Sequence, residues 1–167
     1  FVNIKGTDYL IVTSGGHTNA GAPSTNFIYL TDVSSLDAQK TSDLRRAFFK
    51  AGIVMEVAKN TLIEKAIEKE SFLQRIFTQS ERDYIEKMGV QSAAGYFSAK
   101  EAVSKALGTG ISGFNWTDIE IIKINGVPCV NLSNGALEIS KEKGIEKIHV
   151  SISHSKEYAI AMAVTEG

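Results

Sequence analysis

Apolar and polar positions change period several times along the chain. Val2, Ile4, Leu10, Ile11 and Val12 are β-prone, with Gly6 among them, and predict an opening strand over 1–12. Residues 13–25 (TSGGHTNAGAPST) hold no large apolar side chain, cannot bury a face, and predict a mobile loop and a boundary. Residues 26–30 (NFIYL) predict a short strand, and 38–51 (AQKTSDLRRAFFKA) a helix stopped by Gly52. A short strand over 53–58 (IVMEVA) follows. From Asn60 or Thr61 a helix is expected with Leu62, Ile63, Ala66 and Ile67 as its apolar positions. A second helical stretch covers 80–88 and ends at Gly89.

The alanine-rich run 91–107 (QSAAGYFSAKEAVSKAL) predicts a long helix closed by Gly108 and Gly110. Alternation over 117–124, then Asn125-Gly126, then 127–132, predicts a β-hairpin. A short helix is expected over 136–143, stopped by Gly144. Strands over 147–153 and 158–164 flank a tight polar turn. Helices mixed with antiparallel hairpins, without regular βαβ alternation or an internal repeat, give an α+β class.

Composition narrows the function classes. The 167 residues suit one domain, or one domain with an elaboration. A net charge of -1 excludes a polyanion binder held by bulk positive charge, so neither a nucleic-acid nor a membrane-surface partner is expected. The single cysteine, Cys129, excludes an intrachain disulfide and a Cys-based zinc site. No apolar run approaches the roughly 20 residues of a membrane span, and residues 1–12 lack a signal-peptide pattern. A reducing, cytoplasmic setting is the expectation.

Three places carry candidate chemistry. Glu101 and Lys105 stand at i and i+4 on the alanine-rich helix and share a face, an arrangement that by itself also describes a surface ion pair. That helix runs into Gly108-Thr109-Gly110, whose bend can present free backbone N–H groups to a phosphate. Asp8 follows Gly6-Thr7 inside an apolar strand, where an acid is costly unless paired or metal-bound; an exposed edge or turn position is the plainer reading. His154 lies in a polar turn between hydroxyls (Ser151-Ile152-Ser153-His154-Ser155), suited to a phosphate or simply to solvent. An acid on a strand facing an acid on a helix would suit Mg²⁺, which takes one or two carboxylates, waters and substrate phosphates.

These segments resemble a known family. Residues 63–77 (IEKAIEKESFLQRIF), 97–111 (FSAKEAVSKALGTGI), 126–130 (GVPCV) and 149–159 (HVSISHSKEYA) are similar to holo-[acyl-carrier-protein] synthase, of the 4'-phosphopantetheinyl transferase superfamily. The family's opening strand ends in Gly-x-Asp, which Gly6-Thr7-Asp8 resembles. The resemblance implies a phosphopantetheinyl transferase-like fold, with an antiparallel sheet and a long helix. It also implies transfer of 4'-phosphopantetheine from coenzyme A to a serine of acyl carrier protein, for fatty acid biosynthesis. Asp8 and Glu101 would hold Mg²⁺, and Lys105 would help deprotonate or orient the serine hydroxyl. Gly108, Thr109, Ser153, His154 and Ser155 would contact coenzyme A. Lys65, Lys69 and Arg75 would dock the acidic carrier, and the assembly would be a homotrimer with sites between subunits.

Two departures accompany the resemblance. Tyr96 stands where many members carry Arg in AGRF. An apparent insertion over 14–62 separates a synthase-like domain formed by 1–13 and 63–167. Within the insertion, 29–32 (YLTD), 41–46 (TSDLRR) and 59–62 (KNTL) are similar to a fragment of the large-subunit ribosomal stalk-base protein. The rival reading is an inactive synthase-like scaffold that binds RNA or protein through this segment, with Arg45, Arg46 and Lys50 as its basic cluster.

Overall fold

In the computed structural model the chain is described at residues 2–4, 7–17, 23–31, 38–50 and 52–167, with side chains described from residue 39 onward except 40, 41 and 44. It divides into two compact units, Phe1–Leu44 and Arg45–Gly167.

The first unit contains an antiparallel sheet of β1 (Val2–Ile4), β2 (Thr7–His17) and β3 (Pro23–Thr31), in that order. The strand expected over 1–12 is therefore two strands. The loop expected over 13–25 is partly strand, because Thr13↔Phe27 through His17↔Pro23 continue the ladder. Backbone groups of glycine, serine and threonine satisfy one another across a hairpin without an apolar face, so hydropathy alone does not register them. Asp8 stands opposite Asn3 in β2, and its side chain lies outside the described residues.

The second unit is built on the antiparallel sheet β4-β8-β7, from β4 (Val54–Lys59), β8 (Tyr158–Glu166) and β7 (Lys147–His154). Helix α1 (Ala38–Lys50) contributes to this unit from Arg45 onward. After β4 come α2 (Asn60–Ile67), α3 (Glu70–Ile76), α4 (Gln79–Met88) and α5 (Val90–Ala106). A 3-10 turn, Trp116–Asp118, leads into the separate hairpin β5 (Ile119–Ile124) and β6 (Val127–Leu132), and α6 (Asn134–Glu142) precedes β7. The hairpin turns at Asn125-Gly126, both with positive φ, as the sequence pair requires. The α+β expectation holds.

The expected domain boundary does not. Residues 45–62 belong with 63–167, and residues 1–13 cluster with 14–44. The reason is strand pairing: β4 pairs with β8 from Val54↔Ala163 to Lys59↔Tyr158. The segment IVMEVA thus occupies an edge of the sheet under α5. It is therefore part of this unit's sheet and not of an insertion.

Helix α5 approaches this sheet closely because both faces are small. Ala93, Ala94, Ala99 and Ala102 are fully buried, as are Ala159, Ala161 and Ala163. Gly95 completes the contact: a Cβ there would lie 2.9 Å from Ile152 Cγ2. Gly95→Ala is expected to lose up to about 2 kcal/mol despite a helix-propensity gain of about 1 kcal/mol, because a β-branched neighbour yields poorly. Thermal denaturation checks this; an unchanged or higher midpoint would show that the strand moves aside freely.

On the opposite side of α5, Lys100 is fully buried and its Nζ meets Glu81 Oε2 at 2.7 Å. Lys100 also donates to the carbonyls of Trp116 and Ile119. Glu81 accepts from the N–H groups of Thr78 and Ile121, each at 2.8 Å. One ion pair thereby ties the N-terminus of α4 to α5, the 3-10 turn and β5.

Candidate functional site

The parity of β4 decides where its acid goes. Val54 and Ala58 pack against the core under α5, and Glu56 shares their face. An acid at a core-facing strand position needs partners. Glu56 is 5% exposed. Its Oε1 receives a bond from Lys105 Nζ at 2.6 Å and its Oε2 from Arg45 Nη2 at 3.1 Å. Lys105 Nζ also donates to Glu101 Oε1 at 3.0 Å, so two carboxylates face one another across one ammonium group. Ser104 accompanies them on α5 and donates to the Glu101 carbonyl at 2.8 Å. Burial works to lower the Lys105 pKa. Hydrogen bonds and charge from Glu56 and Glu101 together outweigh it and hold the amine above the ordinary lysine value. Lys105 is therefore a cation at neutral pH.

The glycine bend follows one turn later. Gly108 and Gly110 both have positive φ (81° and 58°), which a side chain rarely adopts. Thr109 is exposed and its hydroxyl donates to Gly110 O at 3.0 Å. The Lys143 amine sits directly over Gly108, where even a Cβ would collide with it.

The turn after β7 is braced from α2. Asn60 is buried and its Nδ2 donates to the carbonyls of Ser155 (3.0 Å) and Lys156 (3.1 Å), while its backbone N–H donates to Glu157 O. The Ser155 hydroxyl accepts from the N–H of Tyr158 at 3.2 Å and so closes the turn itself. His154 is exposed and Ser153 half-buried at the end of β7.

Of the residues expected from sequence, Glu101 and Lys105 are in direct contact. Gly108 and Thr109 follow them on the same chain segment, and Ser153, His154 and Ser155 lie at the β7–β8 turn. Lys65, Lys69 and Arg75 are exposed on α2, at the N-cap of α3, and in its last turn. Asp8 lies in the other unit. The sequence pattern does not assign Glu56, Asn60 or Lys143 to the site, and it offers Arg45 only as part of a basic cluster for RNA, not as a partner of Glu56. The signal for Glu56 was present: a lone acid within the β-prone run IVMEVA, the same argument that was applied to Asp8.

The model of the 4'-phosphopantetheinyl transferase superfamily matches residues 56–163. This chain belongs to that superfamily. Its relatives include a holo-[acyl-carrier-protein] synthase of Alkaliphilus metalliredigens, 50% identical over 117 residues, covering 68% of this chain and 96% of the relative. One from Clostridium tetani is 46% identical over 120 residues, covering 70% and 95%. Among solved structures, the Helicobacter pylori holo-[acyl-carrier-protein] synthase in complex with coenzyme A superposes with a TM-score of 0.62 at 34% identity, covering 68% of this chain and 99% of that one. The Neisseria meningitidis enzyme gives 0.64 at 28%, covering 70% and 98%.

The phosphopantetheinyl transferase match begins on Glu56, within β4. The first unit lies ahead of it. The arginine-to-tyrosine departure at position 96 also has a structural reading. Tyr96 is 5% exposed and stacks on Tyr84, with centroids 5.3 Å apart and planes 7° from parallel. Lys123 donates to the Tyr84 hydroxyl at 2.6 Å. Position 96 in this transferase is a packing position.

Desolvation, then the proximity of Tyr84 and Glu81, push the Tyr96 hydroxyl up to about 12 from an ordinary 10.0. A raised folded-state value means the stabilisation is complete below pH 10 and is lost as pH climbs towards 12. Tyr96→Phe is expected to flatten that alkaline loss and remove a tyrosinate step at 295 nm that lies above the ordinary 10.0. An unaltered alkaline profile would contradict it.

Among the described residues no helix is long and apolar enough to cross a membrane.

Proposed function

We propose that this transferase moves 4'-phosphopantetheine from coenzyme A to a serine of acyl carrier protein, in the service of fatty acid synthesis in the cytoplasm. The observation that carries the reading is the convergence of Glu56 and Glu101 on Lys105, inside the segment that matches the superfamily.

The donor set fits a magnesium ion. Among the described residues no group of three or more His, Cys, Asp or Glu side chains gathers. Two carboxylates do, which suits an ion that fills its remaining positions with water and substrate phosphate. Glu56 and Glu101 would hold it, Glu56 taking the place expected for Asp8. A magnesium ion bound there would supply positive charge to the diphosphate of coenzyme A and its departing 3',5'-ADP.

The remaining work falls to the chain. Lys105, protonated and fixed by two carboxylates, orients the carrier hydroxyl and offsets charge on the transferring phosphoryl group; in this resting arrangement it is a positioning cation rather than a base. Gly108, Thr109 and Lys143 line one stretch for phosphate oxygens, with Ser153, His154 and the main chain around Ser155 as a second. Exposed Leu62 and Lys65 on α2, with exposed Lys69 and Arg75 at the two ends of α3, would offer apolar and positively charged groups to an acidic carrier helix. The β5–β6 hairpin leaves Ile124 and Val127 exposed, which supports burial against further copies in a homotrimer. The RNA-binding alternative is weakened because Arg45, one of its three basic residues, is engaged by Glu56.

The test is incubation of the full chain with apo acyl carrier protein, coenzyme A and Mg²⁺. Intact-mass measurement should show one phosphopantetheine added per carrier, and no addition when Mg²⁺ is chelated. A carrier that stays unmodified under both conditions would refute the reading.

A further inference from the structure

Arg45 reaches Glu56 from α1, ahead of the segment shared with the superfamily. Its role is open, since nothing in the shared segment calls for a second cation on this carboxylate. The bond arithmetic is informative. Glu56 is nearly inaccessible, and each of its oxygens already holds a charge-assisted hydrogen bond, Oε1 from Lys105 and Oε2 from Arg45. Glu56, Glu101, Lys105 and Arg45 together are charge-neutral. A divalent cation bridging the two carboxylates would share an oxygen of Glu56 with one of the two resident cations, and like-charge repulsion at that short range favours withdrawal of the more weakly held one.

The two are not equally held. Lys105 is bound to both Glu56 and Glu101, and leaving would break two short contacts. Among the described residues Arg45 has a single carboxylate contact, at 3.1 Å, and its side chain is 41% exposed, so water can replace Glu56 as its partner. Its Nε is buried and has no hydrogen-bond partner among the described residues, so the guanidinium is held by only part of its donor set.

We infer that Arg45 is a built-in counter-ion that a divalent cation displaces from Glu56, so that the helix ahead of the family segment sets the metal concentration the site requires. In the metal-free protein it keeps a buried carboxylate paired and ordered. With the metal bound, its own charge opposes the incoming ion. The inference rests on the reading of Glu56 and Glu101 as metal ligands.

The experiment is titration of the full chain with Mn²⁺ alone, without coenzyme A, by calorimetry or by electron paramagnetic resonance of free Mn²⁺. Arg45→Gln removes the competing charge and is expected to tighten binding about three- to tenfold over the native chain. Arg45→Lys keeps the charge and is expected to stay within about twofold of it. Circular dichroism confirms that both variants are folded, as a partly exposed helix position allows. Unchanged or weaker Mn²⁺ binding by Arg45→Gln, or an equal gain in Arg45→Lys, would overturn the inference. Glu101→Gln separates this from the metal reading. If it abolishes Mn²⁺ binding while Arg45→Gln changes nothing, the ligands stand and the counter-ion role fails. If Glu101→Gln binds Mn²⁺ as the native chain does, the metal reading fails and the inference falls with it.

Discussion

Replacing Glu101 by glutamine is expected to lower the rate of carrier modification by about two orders of magnitude. The side chain is 31% exposed, so the fold tolerates the change, and the loss should appear in activity rather than in the denaturation midpoint. Glutamine keeps the shape and removes the charge, leaving Lys105 with one carboxylate partner instead of two. The position of Lys105 should then loosen along with the proposed magnesium site. Initial rates at saturating coenzyme A, measured across a Mg²⁺ series, check this. A variant within about threefold of native would remove Glu101 from the metal site.

The second large effect concerns stability. Lys100→Met should cost about 3–5 kcal/mol, because it strands the Glu81 charge in the interior. Burial pushes Glu81 upward and Lys100 downward, both towards neutrality, and it is their mutual contact that opposes this. Changing both, as Lys100→Met with Glu81→Gln, should recover at least about half of the loss, since no unpaired charge remains buried. Urea denaturation of the two variants measures it. A single variant costing under about 1 kcal/mol would show that the pair carries little of the link between α4, α5 and β5.

Much of the second unit was legible in the sequence, for identifiable reasons. Alanine richness over 91–107 marked α5, Asn125-Gly126 marked the hairpin, and glycines closed α4 and α5. Helix α3 was missed because Glu70–Ile76 is short and merges in pattern with its neighbours. The boundary was misplaced for a different reason. Both 1–12 and 53–58 read as apolar strands with one acid, and only pairing with β8 shows which of them lies under α5. Long-range strand pairing leaves no local trace in composition. Glu101 and Lys105 were visible through helical spacing. Arg45 and Asn60 were not, because their partners lie on other elements, Glu56 on β4 and the carbonyls of Ser155 and Lys156 after β7.

The claim on which the rest depends is that the site's strand acid is Glu56 on β4. The most direct measurement compares carrier modification by Glu56→Gln and Asp8→Asn side by side, with Mg²⁺ and coenzyme A in excess. Glu56→Gln should lose about a hundredfold in rate while Asp8→Asn stays within about twofold of the native chain. A collapse in Asp8→Asn with activity kept in Glu56→Gln would contradict it.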